Sequence, residues 1–195
     1  MKNRINVYQI CLVGLAVVLN IIGGQLALLL RLPIYLDSIG TILTGALLGP
    51  LFGMLPGLLG GVIMGMTVDI YSLYFAPVGM IVGLMAGLVF HTASDKKRWI
   101  FSSALLISLP GTVVSSVICA ALFGGITSSG SAILVQLLAK TPLGLTASII
   151  VVQAATDYLD RVISLFLALA LIRVLPSEMK YRFSNKTLPH ISAGK

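Results

Sequence analysis

Long apolar runs separated by short polar links make up most of the sequence. Breaking these runs at charges, prolines and glycine clusters predicts six helices, at 7–30, 36–55, 57–68, 74–92, 100–123 and 148–175. The first run has roughly 24 residues, or about 36 Å of helix, which is enough to cross about 30 Å of hydrocarbon. The third, "GLLGGVIMGM", is short and glycine-rich, and five helices result instead if 36–68 forms one broken helix. The pattern predicts an all-α membrane protein.

Composition supports one membrane domain. The chain is 57% hydrophobic and 10% charged, whereas soluble domains carry about 25% charged residues. The polar stretches at 94–98 and 177–195 are too short to bury a core. The first apolar run is longer than the roughly 7 to 15 residues of a signal peptide, so we expect it to be retained as a helix. We therefore predict a single transmembrane domain at 1–176 in the cell membrane, followed by a polar tail at 177–195.

Basic residues predict the orientation of the helices. Lysine and arginine cluster before the first run, between the fourth and fifth runs, and after the sixth. Such clusters mark the cytoplasmic side, and an even number of crossings puts all three on the same side. About six transmembrane helices with cytoplasmic N- and C-termini are therefore expected. The clusters contain Lys2 and Arg4; Lys96, Lys97 and Arg98; and Arg173, Lys180, Arg182 and Lys186.

Acidic residues are rare, and four of the six lie at or near predicted outer helix ends: Asp37, Asp69, Asp157 and Asp160. A charge at the bilayer centre costs on the order of 3 kcal/mol unless it is paired or hydrated, so these positions favour a polar pocket. Structural roles stay open. Asp37 is placed to cap a helix N-terminus, Asp69 to lie in a loop, and Asp157 to form an i, i+4 ion pair with Arg161.

Polar and aromatic side chains add candidates. Three amides either bind a ligand or join helices: Asn20, Gln25 and Gln153. Four aromatic residues either stack on a ligand ring or anchor the chain at the membrane surface: Tyr35, Tyr71, Tyr74 and Phe75. The link at 124–147 contains an apolar segment, 133–138, predicted to lie as an interfacial helix that covers or walls an outward-facing pocket.

Glycines recur at every fourth position from Gly45 to Gly65. Such a stripe allows the backbones of two helices to approach closely. Because Pro50 and Pro56 interrupt the stripe, two faces on two helices are expected.

Missing motifs exclude several function classes. The sequence contains no HExxH, GxSxG, phosphate-binding loop or cysteine-rich metal spacing. We predict no enzymatic activity, cofactor or metal, and any energy-driven transport must use an ion gradient or partner subunits. The net charge of +7 lies in the flanks of apolar runs, which is typical of membrane orientation and not of nucleic-acid binding.

Three stretches resemble a known family: "LPIYLDSIGTILTGALLGPLFGMLPGLLGGVI", "DIYSLYFAPVGMIVGLMAGLVF" and "DYLDRVISLFLALALI". With the six predicted helices, the chain resembles, over roughly 7–175, the substrate-binding S component of energy-coupling factor (ECF) vitamin transporters. The resemblance implies capture of a water-soluble vitamin outside the cell. It also implies toppling in the lipid bilayer beside a transmembrane coupling subunit, which is driven by two ATPase subunits.

The resemblance also implies a partner face on the first helix. The family often carries an Ala-x-x-x-Ala pattern there, used to meet the coupling subunit. The nearest equivalent is Ala16 followed by Asn20, with Gly23 and Ala27 one step further. Asn20 departs from the family pattern.

The residues expected to bind the substrate are Asp37, Ser38, Asp69, Tyr74, Gln153, Asp157 and Arg161. An acid-rich mouth with tyrosines suits a hydroxymethylpyrimidine or pyridoxine-like ring. Pantothenate would instead need its carboxylate matched by Arg31 or Arg161. Two other functions stay open: an ion-coupled secondary transporter with Asp37 or Asp157 as the protonatable site, and a structural assembly protein.

Overall fold

The computed structural model describes residues 6–92 and 99–175, which form seven helices and no strand. The prediction of an all-α chain is therefore confirmed for these residues. The helices are α1 (Val7–Leu29), α2 (Ile39–Leu48), α3 (Pro50–Thr67), α4 (Ile70–Thr92), α5 (Trp99–Phe123), α6 (Ser131–Leu138) and α7 (Gly144–Val174).

Apolar helices of membrane-spanning length dominate the described ranges. By length and composition, α1, α3, α4 and most of α5 are suited to cross a membrane. Helix α2 is apolar but has only 10 residues, and the 31 residues of α7 include charged side chains. Many large apolar side chains point outward, such as Leu29 and Val113, where lipid would cover them. These features indicate a membrane protein.

Several sequence predictions fall outside the described residues. They concern the tail at 177–195 and most of the basic residues that predict the orientation: Lys2, Arg4, Lys96, Lys97, Arg98, Lys180, Arg182 and Lys186.

The helix boundary between α2 and α3 lies earlier than predicted. The predicted helices at 36–55 and 57–68 place the break near Pro56, but α3 runs continuously through Pro56. The break occurs at Gly49, whose φ of 94° and ψ of 178° end α2. Glycine adopts a positive φ without a steric penalty. Pro50 then occupies the first turn of α3, where its missing N–H costs nothing.

Helices α3 and α4 pack with their backbones in near contact. A Cβ built on Gly57 would lie 2.4 Å from the carbonyl oxygen of Gly79, and one on Gly53 would lie 2.5 Å from that of Gly83. Side chains larger than hydrogen would force the helices apart. The stripe continues in α2, where Gly45 also faces Gly83. The glycine stripe thus lies on two helices, as expected, and both parts pack on α4.

The apolar core lies where α2, α4, α5 and α7 meet. Its fully buried members include Ile42, Val82, Ile107 and Leu165, one from each helix. A smaller cluster joins α5, α6 and α7: Cys119, Val135, Ile149 and Val152. The predicted segment 133–138 is helical and lies in α6, which contacts α7. Its position at the membrane surface and its role as a cover or wall of a pocket stay predictions.

Candidate ligand-binding cleft

A cleft of about 760 Å³, counting its open mouth, lies between α1, α3 and α4. Three links between helices also border it, contributing Tyr35, Asp69 and Ser128. One side is made of glycines from α3 and α4, including Gly60 and Gly79.

A second compartment of about 360 Å³ adjoins the first. The two share Tyr35, Asp37, Phe75 and Gly79 in their walls. The second compartment is more polar, because its other lining residues include Ser38, Ser115, Asp157 and Arg161. Together the two compartments form one space, which we call the cleft, with a larger, mostly apolar part and a smaller, more polar part.

Arg161 is held in the protein interior by two partners. Its Nη1 donates to the carboxylate of Asp160 and to Oγ of Ser38. Oδ1 of Asp160 also accepts the backbone N–H of Leu36 at 2.7 Å. This cluster joins the middle of α7 to the start of α2. Its two charged side chains, Asp160 and Arg161, are both buried.

The predicted ion pair between Asp157 and Arg161 is wrong. The carboxylate of Asp157 is instead bound by two hydroxyls of α5, from Thr112 at 3.0 Å and Ser115 at 2.9 Å. These donors turn Asp157 toward α5, and Arg161 pairs with Asp160 instead. The sequence spacing of i, i+4 permits a pair but does not outweigh tertiary hydrogen bonds of this kind.

Asp37 faces the cleft and does not cap a helix. Its side chain is exposed to the cleft and accepts one hydrogen bond, from Oγ of Ser38 at 3.0 Å. The first N–H groups of α2 go to Asn20 instead, whose Oδ1 accepts from Gly40 at 2.8 Å. The capping alternative for Asp37 is therefore wrong, and its carboxylate is available to a ligand.

The link at 30–38 is fixed to its surroundings along its length. Leu32 accepts the N–H of Gly130 at 3.2 Å, and the hydroxyl of Tyr35 lies 3.4 Å from Oγ of Ser131. Two residues with side chains, Arg31 and Leu36, have positive φ values of 51° and 54°, a conformation that costs about 1 kcal/mol or more. These contacts hold Tyr35 and Asp37 at the cleft wall.

Tyr35 presents a neutral hydroxyl. Burial of the phenol raises its pKa, and the nearby carboxylate of Asp157 raises it further. The side chain therefore stays protonated at neutral pH and can donate a hydrogen bond.

Asp69 lies at the start of α4 and borders the larger compartment. Its Oδ2 accepts hydrogen bonds from Ser128 at 2.7 Å and Ser72 at 3.2 Å. It thus joins the link at 124–130 to α4.

Two predicted site residues do not line the cleft. Tyr74 is 47% exposed and contacts Phe123 edge to face, with ring centroids 5.4 Å apart. Gln153 is buried beside Cys119, and its Oε1 has no partner among the described residues. The other five predicted residues lie around the cleft: Asp37, Ser38, Asp69, Asp157 and Arg161.

The proposed partner face of α1 points into the protein. Ala16, Asn20 and Ala27 are 0%, 2% and 4% exposed, and Gly23 is also buried. Asn20 and Ala27 line the larger compartment. A contact between these residues and a coupling subunit stays a prediction.

Sequence reasoning missed the residues that hold the acidic side chains. The sequence does not predict Thr112 and Ser115 as site residues, although two hydroxyls three residues apart on an apolar helix are a recognisable signal. The glycine stripe predicts close helix packing, a rocking helix or a contact with another subunit, but not that Gly57, with Gly60 and Gly79, also borders the cleft.

Comparisons with known proteins add no identification. No family model, curated protein or solved structure matches the chain.

Proposed function

We propose that this chain is the substrate-binding S component of an ECF-type transporter and captures a water-soluble vitamin or vitamin precursor. The observation that carries the proposal is the cleft, where Asp37, Asp157 and Arg161 line a space inside a bundle of apolar helices. Charged side chains at such positions are costly in a membrane and are typical of substrate sites. A hydroxymethylpyrimidine, a pyridoxine-like ring and pantothenate are the candidate ligands.

The proposed topology has six crossings, by α1, α2, α3, α4, α5 and α7, with both termini in the cytoplasm. At 10 residues, α2 is too short to cross the hydrocarbon alone and would cross packed against α3 and α4. It puts the links at 30–38, 68–69 and 124–143 on the outer side. In support, Tyr35, Asp69 and Ser128, one from each of these links, border the same cleft. The cleft then opens outward, toward the medium from which a vitamin is captured.

Partners supply the energy in this proposal. The chain lacks a phosphate-binding loop, so transport depends on a transmembrane coupling subunit and two ATPase subunits. The support is the sequence resemblance over roughly 7–175. The lipid bilayer is the medium in which the subunits meet.

Uptake in cells tests the proposal. The chain is expressed in a host that lacks vitamin transporters, alone and with an ECF module, and uptake of radiolabelled vitamins is measured. We expect uptake of one vitamin only with an intact module, and none when the ATPase subunits carry substitutions that block ATP hydrolysis. Uptake by the chain alone that stops when the proton gradient is dissipated contradicts the proposal.

A second candidate is a proton-coupled carrier, favoured by one observation. Asp157 is a buried carboxylate in a membrane helix, bound by Thr112 and Ser115, and such residues often serve as proton sites. In this case Asp157→Asn abolishes gradient-driven uptake but leaves exchange of substrate across the membrane intact. Under the S-component proposal, uptake does not depend on the proton gradient in the wild type or in Asp157→Asn.

A further inference from the structure

We infer that the cleft selects a flat ring compound carrying a positively charged or donor-rich group, and that it rejects anionic ligands of the same shape. This inference rests on the proposed binding function and narrows its ligand class. It follows from the charge, hydrogen bonding and shape of the cleft walls.

The cleft has an excess of negative charge. Three carboxylates line its described walls, those of Asp37, Asp69 and Asp157, against one cationic side chain, Arg161. The guanidinium already binds Asp160 and Ser38 through Nη1. A ligand carboxylate would approach the charge of Asp37 and meet a cation that is already paired, and like charges in a poorly hydrated site repel strongly.

Asp37 is the carboxylate best placed to bind a ligand. Asp69 and Asp157 each accept two hydroxyl hydrogen bonds on one oxygen. Asp37 accepts one, from Ser38, and it borders both compartments. A cation or a pair of N–H donors can therefore reach it from either side and form a charge-assisted hydrogen bond.

A buried donor without a partner lies in the same compartment. Nε of Arg161 is buried and has no hydrogen-bond partner among the described residues, and Arg161 is only 4% exposed. A buried unpaired donor is costly, so it indicates a partner supplied from outside the chain. One acceptor atom on the ligand, such as a ring nitrogen, would satisfy this donor.

Bare backbone and aromatic rings border the larger compartment. Gly57, Gly60 and Gly79 border it without side chains, and the rings of Tyr71 and Phe75 also border it. Both rings pack on Phe123, with centroids 4.8 Å and 6.2 Å away, so they are held in place. Backbone surfaces and fixed rings suit a planar aromatic ligand that packs by stacking.

Three small ligands of nearly the same shape test the charge preference. Benzamidine is a cation, benzamide is neutral and benzoate is an anion at pH 7. Their binding to the purified full chain in lipid nanodiscs is measured by ligand-observed NMR titration. We expect benzamidine to bind at least about tenfold more tightly than benzoate, with benzamide between them.

Variants of Asp37 identify the carboxylate that sets the preference. Asp37→Asn removes the charge and is expected to bring benzamidine affinity down to that of benzamide, whereas Asp37→Glu keeps the preference. The thermal unfolding midpoint of each variant shows whether it folds. Should Asp37→Asn fail to fold, the wild-type ligand series and Asp37→Glu still decide the question.

Two results overturn the inference: benzoate binding as tightly as benzamidine, and absence of saturable benzamidine binding at millimolar concentration. Both leave the proposed function standing, since that depends on module-dependent vitamin uptake. Conversely, uptake that needs no ATPase overturns the proposed function and leaves the measured charge preference unchanged. Retention of the full preference in folded Asp37→Asn overturns the assignment to Asp37.

Discussion

Oδ1 of Asn20, in the middle of α1, accepts the backbone N–H of Gly40 at 2.8 Å, in the first turn of α2. Nδ2 of the same side chain donates to Oγ1 of Thr41 at 2.7 Å. The first N–H groups of a helix have no partner within the helix, and Ser38 at the N-cap position provides no side-chain bond. A residue of α1 therefore caps α2, and this fixes the helix that follows Asp37.

Substitution Asn20→Ala is expected to destabilise the protein by about 1–3 kcal/mol, because it leaves buried N–H groups of α2 and the Thr41 hydroxyl without a partner. Unfolding in mixed detergent micelles, followed by circular dichroism, measures the loss. The control is Gln25→Ala, which removes an exposed amide from the same helix. Equal stability of the two variants contradicts the capping role.

The ion pair between Asp160 and Arg161 is expected to be strongly coupled. Arg161→Gln leaves the Asp160 charge buried without a cation, at a cost of about 3–5 kcal/mol. Asp160→Asn keeps an oxygen for the N–H of Leu36. The double variant Asp160→Asn/Arg161→Gln should therefore be more stable than Arg161→Gln alone.

A double-mutant cycle measures this coupling from the unfolding free energies of the four proteins. If the two single substitutions add without a coupling term, the pair does not contribute as described. The matched cycle with Asp157→Asn and Arg161→Gln should show weaker coupling. Oδ2 of Asp157 accepts hydrogen bonds from Thr112 and Ser115 and not from Arg161.

The all-helical character of the described residues could be predicted from apolar runs, because lipid-facing and core-facing residues are both apolar. The position of the break between α2 and α3 could not be predicted, and the break expected near Pro56 is wrong. Proline inside a membrane helix is tolerated when neighbouring groups compensate for the lost hydrogen bond, and the sequence alone gives no sign of this. The actual break depends on the positive φ of Gly49, and glycine is too frequent here to mark one position.

The cleft could be predicted in part. The sequence indicates Asp37, Asp69 and Asp157 as cleft residues, because an acidic residue in an apolar chain is costly wherever its partners lie. Their partners are not local. Thr112 and Asp157 are 45 residues apart, and Leu36 and Asp160 are 124 apart. Such pairs depend on how helices pack, so the sequence suggested the nearer pair, Asp157 and Arg161, and was wrong.

Two glycines of α3 are expected to respond differently to alanine. In Gly57→Ala the new Cβ would lie 2.4 Å from the backbone of Gly79, which forces α3 and α4 apart, so we expect a loss of about 1–3 kcal/mol. In Gly60→Ala the Cβ would contact only Asn20, at an ordinary 3.5 Å. Stability should then be unchanged or slightly higher.

Gly60→Ala also tests whether the ligand binds in the cleft. Gly60 borders the cleft, so the added methyl group reduces the space between its walls. We expect folded Gly60→Ala to bind benzamidine more weakly than the wild type, by titration under the conditions described above. Unchanged affinity with unchanged stability argues against binding beside Gly60.

Gly23→Ala is expected to displace the link at 30–38. A Cβ on Gly23 would lie 2.0 Å from the carbonyl oxygen of Leu36, which is backbone and cannot rotate away. The shift weakens the bond from Leu36 to Asp160 and moves Asp37, so both the unfolding midpoint and benzamidine affinity should fall. Gly14→Ala is the control, because its Cβ would contact nothing within 4 Å, and helix propensity favours alanine by up to about 1 kcal/mol. If Gly23→Ala matches this control in both measurements, the link does not hold Asp37 in place.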